Sequence, residues 1–596
     1  MDKNTFTGLF LILVILVAST FLLKPNQEEI KRKAEQDSIA VAKEHPESQK
    51  KVAKKTAASI TSVITAEKDS SAVPTGIIKE KLYTLENQYI KISISNIGAR
   101  IASVELREET TYQGKPVILF NDDNTHFGLV YKSNGKEVNT SSLAFNLVSQ
   151  DEHQIVMRML NPDGSFVNYA YSLNPNSHKV DFKMEVQGFQ NKINTKNITL
   201  DWETKLLQQE RDLNNERMYS TTYYNTVDDG VDYLSEAKDE QKVLDKSKVK
   251  WVAFKQHFFS GVIISNEGFD KADVKIETLA DKSAVKAYGA KMSLPFKNQD
   301  TNTYNLQFYF GSNKFSQLKD QGDELEQMVK MGWGPLKWIN RYLVLPIFNF
   351  FQNMNLGYGL IILLLTIILK SVLFPFTYKS YLSMAKMRVL KPEMEEIKKR
   401  VGEENQALVQ QEYLKLYKQA GVNPLGGCLP MVFQMPFILA FFYFFPNLFE
   451  LRHQSFLWMH DLSTYDDFFK LGFTLPFIGN HISLMCVLMT ISTLIYTYFN
   501  NQVSGAQGQM KYIGYITPII FFGVLNSYPS GLNYYYFCAN ILTFSQQFLI
   551  RKFVDDDKIH AQIQENKKKP DSKKKQGGFQ KKLEDMMRQQ QQQQKK

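Results

Sequence analysis

The chain has 596 residues, enough for several domains, and its hydrophobic residues, 43% of the total, are concentrated near the start and after residue 335. This distribution is typical of a membrane protein with a large soluble part. The three cysteines (Cys428, Cys486 and Cys538) lie in or beside apolar segments, so they imply no disulfide framework. The formal net charge of +10 is uneven, because residues 551–596 alone contain fourteen Lys and Arg against seven Asp and Glu.

The first segment is an apolar run of 18 residues, Phe6 to Leu23, that follows the single basic residue Lys3. It is long for a signal-peptide core and no A-x-A cleavage site follows it, so we predict an uncleaved transmembrane anchor over residues 1–24. The alternative is a signal peptide that is removed. Residues 25–77 are rich in Lys, Glu, Ser and Ala, which predicts a flexible tether.

Short runs of alternating apolar and polar residues follow, with Gly, Asn and Asp between them. In one of these runs, Ile90, Ile92 and Ile94 fall on the same face of a strand. The pattern predicts a soluble antiparallel β-sandwich domain over residues 78–315, long enough for a sizeable core.

Residues 316–353 have a helical pattern that mixes aromatic and basic side chains. The residues concerned are Trp333, Lys337, Trp338, Arg341, Tyr342 and Phe348. Such a mixture suits the headgroup layer, and we predict an amphipathic helix lying on the membrane. The alternative is a short buried helix of the β domain.

A long apolar segment from Leu356 to Phe376 contains one charged residue, Lys370. A charge in a spanning helix costs roughly 2.5 to 3.5 kcal/mol at the helix centre, so it usually faces protein or water. Lys370 could instead extend to the headgroups, because it lies only six residues before Phe376. Thr366 stands at i−4 on the same face and could begin a polar stripe with it.

Residues 379–423 are polar and contain two apolar series at helical spacing on either side of Gly402. This pattern predicts an antiparallel helical hairpin with one apolar seam. Its methionines, Met387 and Met394, could form an adaptable contact surface or could simply close the hairpin.

Four further spans are predicted at Pro424 to Phe445, about His481 to Phe499, Tyr512 to Tyr528 and Gly531 to Ile550. The core of residues 354–551 then has five transmembrane helices, and the anchor makes six. The hairpin carries nine Lys and Arg, and residues 552–596 form a basic tail, which predicts that both are cytoplasmic and that both termini face the cytoplasm. Basic residues just after the first span oppose this orientation, but large domains translocate regardless of charge.

No sequence motif for nucleotide hydrolysis, a nucleophilic triad or a metal centre is present, so we predict no catalytic residues, no cofactor and no metal. The predicted spans nevertheless contain many polar residues. These are Thr366, Lys370, Gln434, Asn540, Gln546 and Gln547. Each could hydrogen-bond neighbouring helices, and as a set they could line a hydrated pocket.

Four ordered motifs carry a family resemblance. They are Ser383-Met-Ala-Lys-Met-Arg388, Asn423-Pro-Leu-Gly-Gly-Cys-Leu-Pro430, Gln434-Met-Pro436, and Pro529-Ser-Gly-Leu532 followed by Tyr535-Tyr536. Over about residues 333–551 the chain resembles the YidC family of bacterial membrane protein insertases. The anchor and large external β domain resemble the Gram-negative type.

The resemblance implies an α+β membrane protein whose five conserved spans surround a hydrophilic groove that is open to the cytoplasm and closed towards the periplasm. It implies that Lys370, Thr366, Gln434 and Tyr536 bind the substrate. The family usually has Arg at the position of Lys370, and Lys keeps the charge but loses the bidentate fork.

The resemblance also implies a sugar-epimerase-like β domain in the periplasm and a location in the inner membrane. The implied partners are nascent membrane proteins, the Sec translocon, and the ribosome and targeting machinery, which would meet the hairpin and the basic tail without recognising a nucleic-acid sequence. The tail could alternatively bind anionic lipid.

Two other functions remain open. An ion-coupled small-molecule transporter would use Lys370 as its relay, but the spans lack a detectable inverted repeat and an acidic partner for the lysine. An envelope scaffold would act through the β domain and use the spans only as an anchor.

Overall fold

The computed structural model describes residues 79–569, apart from 134, 194, 281, 283, 403–405, 424–428, 477 and 505–508. The predicted anchor (1–24), the tether (25–77) and the tail after residue 569 therefore lie outside the described residues.

The first part of the described chain is built from nineteen strands, which form three antiparallel sheets. The strands are β1 (Leu82–Glu86), β2 (Ile90–Ser95), β3 (Ile101–Thr110), β4 (Pro116–Ile118), β5 (Thr125–Ser133), β6 (Lys136–Asn139), β7 (Asn146–Gln150), β8 (Gln154–Leu160), β9 (Phe166–Leu173), β10 (Lys179–Gln187), β11 (Asn197–Lys205), β12 (Thr221–Thr226), β13 (Gly230–Tyr233), β14 (Glu240–Leu244), β15 (Val249–Lys255), β16 (Phe259–Phe269), β17 (Lys271–Glu277), β18 (Ala287–Pro295) and β19 (Thr301–Ser312). A short helix, α1 (Leu213–Met218), lies between β11 and β12. We call residues 82–312 the β domain.

The strand order is β1-β2-β3-β4 in the small sheet, β14-β17-β18-β11-β5-β6 in the second and β13-β12-β15-β16-β19-β10-β9-β8-β7 in the largest. Apolar and polar residues alternate along β2, so one face of the strand is buried. Ile90, Ile92 and Ile94 are all fully buried, as their spacing predicts.

Aromatic side chains join the two larger sheets face to face. Trp202 of β11 lies 4.2 Å, between ring centroids, from Phe254 of β15, and 5.7 Å from Phe308 of β19. Phe127 of β5 meets the same Phe308 at 5.8 Å. The predicted antiparallel β domain is therefore confirmed, with its core between two packed sheets.

The rest of the described chain is helical. The helices are α2 (Phe315–Gln321), α3 (Pro335–Trp338), α4 (Leu345–Gln352), α5 (Tyr358–Val389), α6 (Lys391–Val401), α7 (Gln406–Ala420), α8 (Leu429–Asn447), α9 (Leu484–Ser504), α10 (Gln509–Leu525), α11 (Ser530–Phe553) and α12 (Asp556–Lys568). A π-helical turn, Ile339–Val344, joins α3 to α4, and a two-stranded ribbon, β20 (Phe469–Leu475) with β21 (Gly479–Ile482), precedes α9.

One described helix, α5, is long and apolar enough by itself to cross a membrane, and Gly514–Leu525 is a shorter apolar helix. The predicted span within α5 ended at Phe376, but the helix continues to Val389 through Pro375. Tertiary packing explains the difference, because Tyr381 and Met384 are buried in a cluster with residues of α7, α11 and α12. The first part of the predicted hairpin (379–423) thus belongs to α5, and the count of six spans stays a prediction.

The pair α6 and α7 is antiparallel, since Tyr417 contacts Met394 and Arg400 pairs with Glu412. Helix α12 packs against the end of α5 and against α6 of this hairpin through two ion pairs. Arg388 bonds Asp556 at 2.6 Å, and Lys567 bonds Glu393 at 2.5 Å.

The segment predicted to lie on the membrane surface is not one regular α-helix, because a π-helical turn joins α3 to α4. Its aromatic residues do not share one face. Trp333, Trp338 and Tyr342 are about two-thirds exposed, as a headgroup contact requires. Phe348, which we expected in the same layer, is fully buried and packs near Phe444 of α8. The inner face of this segment therefore packs on the helical part of the chain.

The β domain contacts the helices through a buried histidine. The Nε2 atom of His257 donates to the carbonyl of Pro446 at 2.6 Å, at the end of α8. Burial lowers the pKa of His257 to about 3, the bond to Pro446 opposes this shift, and the nearby cations Lys255 and Arg452 add to it.

Because the folded pKa lies below the unfolded value of about 6.5, the neutral ring stabilises the fold fully above that pH, and the stability is lost as the pH falls towards 3. We expect acidification to pH 5 to cost about 2 kcal/mol through this group. The measurement compares urea unfolding at pH 7 and pH 5 for the native protein and for His257→Gln, which keeps the donor but cannot titrate. An equal loss in both proteins would contradict the prediction.

Candidate functional site

Lys370 lies in the middle of α5 and is buried, with 6% of its surface exposed. Its Nζ atom donates to Oε1 of Gln434 on α8 at 3.2 Å. The side chain therefore turns towards a neighbouring helix and does not run along α5 to the headgroups. Lys370 and Gln434, both predicted as site residues, are brought together.

A third helix meets α5 at the same level. Nε2 of Gln546, on α11, donates to the backbone carbonyl of Lys370 at 3.3 Å. Its other amide atom, Oε1, is buried and has no hydrogen-bond partner in the part of the chain that the structure describes. Lys370 thus contacts two neighbouring helices, with its amine bonded to α8 and its backbone carbonyl bonded to α11. We call this set of Lys370, Gln434 and Gln546 the recess.

The other two predicted site residues are not bonded to Lys370. Thr366 is fully buried one turn earlier on α5, and its hydroxyl donates to the carbonyl of Ile362 at 2.6 Å. The hydroxyl of Tyr536 donates to the carbonyl of Ile438 at 3.3 Å and so joins α11 to α8. Both hydroxyls satisfy helix backbone in this conformation.

A separate polar contact joins α11 to α9. Nδ2 of Asn540 donates to the hydroxyls of Ser492 at 3.0 Å and Thr493 at 2.8 Å. The sequence singled out Asn540 but missed its partners, whose only signal is a Ser-Thr pair within an apolar helix. This contact fits the helix-packing alternative.

The end of the helices nearest the β domain is closed by a hydrogen-bonded segment. We call residues 448–467 the cap. The amide of Ser530, the first residue of α11, donates to the carbonyl of Thr464 at 2.7 Å, and the next amide, of Gly531, donates to Leu462 at 3.0 Å. The carboxylate of Asp466 accepts from the amides of Leu484 and Met485 and so caps the start of α9.

Asn526 completes this closed end. It is fully buried, and its Nδ2 donates to the carbonyls of Ile478 at 2.9 Å and His481 at 2.8 Å. Its Oδ1 accepts from the amide of Ser483 at 2.9 Å. One side chain therefore ties the end of α10 to the start of α9.

Within the described ranges, no group of three His, Cys, Asp or Glu side chains is placed to hold a metal ion. The buried cation of the recess also has no carboxylate partner among the residues described. The site consists of a positive charge, amides and hydroxyls.

Two family profiles match the chain. Residues 82–346 match the YidC periplasmic domain and residues 349–558 match the 60Kd inner membrane protein. The membrane protein insertase YidC of Parabacteroides distasonis is 37% identical over 95% of both chains, and that of Bacteroides fragilis is 36% identical over 95% of this chain and 94% of its own. The chain belongs to the YidC family.

Membership of the YidC family makes this chain a membrane protein insertase of the inner membrane, with a periplasmic β domain. The resemblance in the four motifs is thereby confirmed. A solved YidC insertase covers 78% of this chain and 92% of its own, with 17% identity and a TM-score of 0.32. A galactose mutarotase related enzyme from Lactobacillus acidophilus covers 39% of this chain and 98% of its own, with 13% identity and a TM-score of 0.27. Both scores are too low to show a shared fold.

Proposed function

We propose that this insertase takes up the polar end of an incoming membrane segment at the recess and then releases the apolar part sideways into lipid. The observation that carries the proposal is the buried amine of Lys370, whose one described side-chain partner is a neutral amide. A buried charge without a counterion carries a high free-energy cost, so such a residue in a spanning helix commonly marks a functional site. An acidic residue of a client would supply the missing partner.

The energetic problem is the passage of a polar end across about 30 Å of hydrocarbon. We propose that the recess opens to the cytoplasm, so that water, amides and the cation receive the polar end before it has crossed. Attraction between the amine and an acidic end strengthens as the local dielectric falls. Thr366 and Tyr536 would exchange their backbone bonds for contacts with the passing segment.

Release needs no nucleotide in this mechanism. Ile367, Val372 and Phe374 of α5 have exposed side chains, between 39% and 56% accessible. A client segment gains free energy by leaving the recess for lipid beside such side chains. This agrees with a protein that is not an enzyme and requires no cofactor.

We propose six spans with both termini in the cytoplasm. The basic hairpin and the basic tail (552–596) support this orientation, because Lys and Arg are retained on the cytoplasmic side. The cap would then be periplasmic and would close the recess from that side.

The same orientation suggests the partners. We propose that the hairpin, held by α12, and the basic tail meet the ribosome and the targeting machinery, where a cationic tail is attracted by RNA phosphates. Anionic lipid is a second partner for the tail. Insertion beside the Sec translocon remains part of the proposal.

The transporter is not favoured, since the relatives are named as insertases. The scaffold would require the β domain to be the working part. Under our proposal, a protein that lacks residues 80–310 keeps much of its insertion activity.

The experiment is a map of water accessibility along residues 362–374, with single cysteines placed in a protein whose native cysteines are replaced. We expect a water-soluble maleimide applied from the cytoplasmic side to label positions 366 and 370. Positions 368 and 372, which lie two residues on either side of Lys370 and so on the opposite side of the helix, serve as matched controls and should stay unlabelled. Equal labelling at all four positions, or none at 366 and 370, would contradict a wet recess.

A further inference from the structure

The cap contains one arginine that is almost completely buried. The side chain of Arg452 is 3% exposed, and its Nε bonds Oε1 of Glu210 at 2.7 Å. Its Nη2 donates to the carbonyl of Thr110 at 2.6 Å, and its Nη1 lies 3.7 Å from Glu109. The guanidinium also lies 4.9 Å from the ring centre of Phe259. All four partners belong to the β domain, so every described contact of this guanidinium joins the cap to the β domain.

Two further features of the junction between the cap and the β domain bear on the role of Arg452. The junction between cap and β domain contains a partly open pocket of about 760 Å³, whose lining includes Thr110, Glu210 and Asp461. The other described ion pair of the junction, Arg211 with Asp467, is more exposed, since the arginine side chain is 41% accessible. Arg452 is buried and bonds two separate groups of the β domain, so we take it as the stronger attachment.

Two residues of the cap have strained backbone conformations. His453 and Leu457 adopt φ angles of 58° and 55°, in the left-handed region that non-glycine residues rarely occupy. Such conformations persist only where surrounding contacts hold them. Arg452, whose side chain is held by the β domain, directly precedes the first of them.

The cap in turn holds two helices of the recess. It accepts hydrogen bonds from Ser530 and Gly531 at the start of α11, which carries Gln546. It also packs the ring of Phe456 on Gly359 at the start of α5, so closely that a Cβ at Gly359 would lie 2.1 Å from the ring. A shift of the cap would therefore move the starts of both helices.

We propose that the β domain acts through Arg452 to position the cap over the periplasmic end of the recess, so that the recess is open on one side only. Arg452 is a positioning residue and does not touch the client. The proposal rests on the proposed function, because it assigns the closed side of that recess.

The test uses the full-length protein and two readouts. The first is hydrogen exchange in the cap and at the amides of Ser530 and Gly531. The second is labelling of Thr366→Cys by a membrane-impermeant maleimide, added to right-side-out or to inverted vesicles. We expect Arg452→Ala to speed exchange and to raise periplasmic labelling about tenfold, because it leaves Glu210 buried and unpaired. Labelling from the cytoplasmic side should change little.

Three variants control the result. Arg107→Ala removes an exposed ion pair within the β domain, where 43% of the arginine side chain is accessible, and should change neither readout. Arg452→Lys, which keeps the charge and loses the fork, should give an intermediate effect. The exchanged pair Arg452→Glu with Glu210→Arg should restore slow exchange and low periplasmic labelling, which a merely misfolded protein would not do.

The outcomes separate the two proposals. Native exchange rates and native periplasmic labelling in Arg452→Ala would overturn the positioning role, whatever the recess does. If hydrogen exchange is faster in Arg452→Ala but position 366 is not labelled from the cytoplasmic side in any of the variants, the positioning role of Arg452 is supported and the wet recess is overturned.

Discussion

Lys370→Glu is expected to reduce insertion of clients with acidic translocated ends at least tenfold, while clients with neutral ends lose less. The change replaces attraction with repulsion. Two unit charges 4 Å apart interact by about 4 kcal/mol at an effective dielectric of 20, and about 1.4 kcal/mol corresponds to a factor of ten. Lys370→Ala should fall between the native protein and the Glu variant. The measurement is insertion into proteoliposomes that contain the purified protein.

Two variants make this experiment specific. Lys370→Arg keeps the positive charge and should insert the same clients at a similar rate. Lys379→Glu makes the same change in net charge at an exposed position of the same helix and should have little effect. Equal insertion of acidic-ended clients by the native protein and by Lys370→Glu would rule out the electrostatic part of the mechanism.

Asn526→Leu is expected to destabilise the closed end of the helices by about 3 kcal/mol or more. Asn526 is fully buried and makes three hydrogen bonds to backbone groups, and a buried backbone group without a partner costs about 1 to 3 kcal/mol. Leucine has a similar volume but can make none of these bonds. The measurement is the temperature at which the buried thiols of Cys486 and Cys538 begin to react with a dye.

The matched control is Val524→Leu, two residues earlier in α10, where the side chain is 52% exposed and makes no comparable contact. It should leave the reaction temperature nearly unchanged. A reaction temperature for Asn526→Leu that equals that of the control would mean that Asn526 does not hold this end of the structure.

Much of the architecture could be predicted from local pattern. Alternation at Ile90, Ile92 and Ile94 predicts a half-buried strand, since successive side chains of a strand point to opposite faces. Length and hydropathy predict the helix that carries Lys370. The predicted end of that helix, Phe376, was wrong. The helix continues through Pro375 to Val389 because Tyr381 and Met384 pack on other elements.

The sequence by itself determined the β domain, the apolar helix with one charged residue, and the basic segments beside it, because composition and periodicity act over a few turns or one strand. Only the tertiary structure decided which side chains meet. Lys370 reaches Gln434 across 64 residues of sequence, its carbonyl meets Gln546 across 176, and Arg452 meets Glu210 across 242. The physical reason is that these contacts depend on the packing of whole elements, and no local pattern specifies which elements will pack.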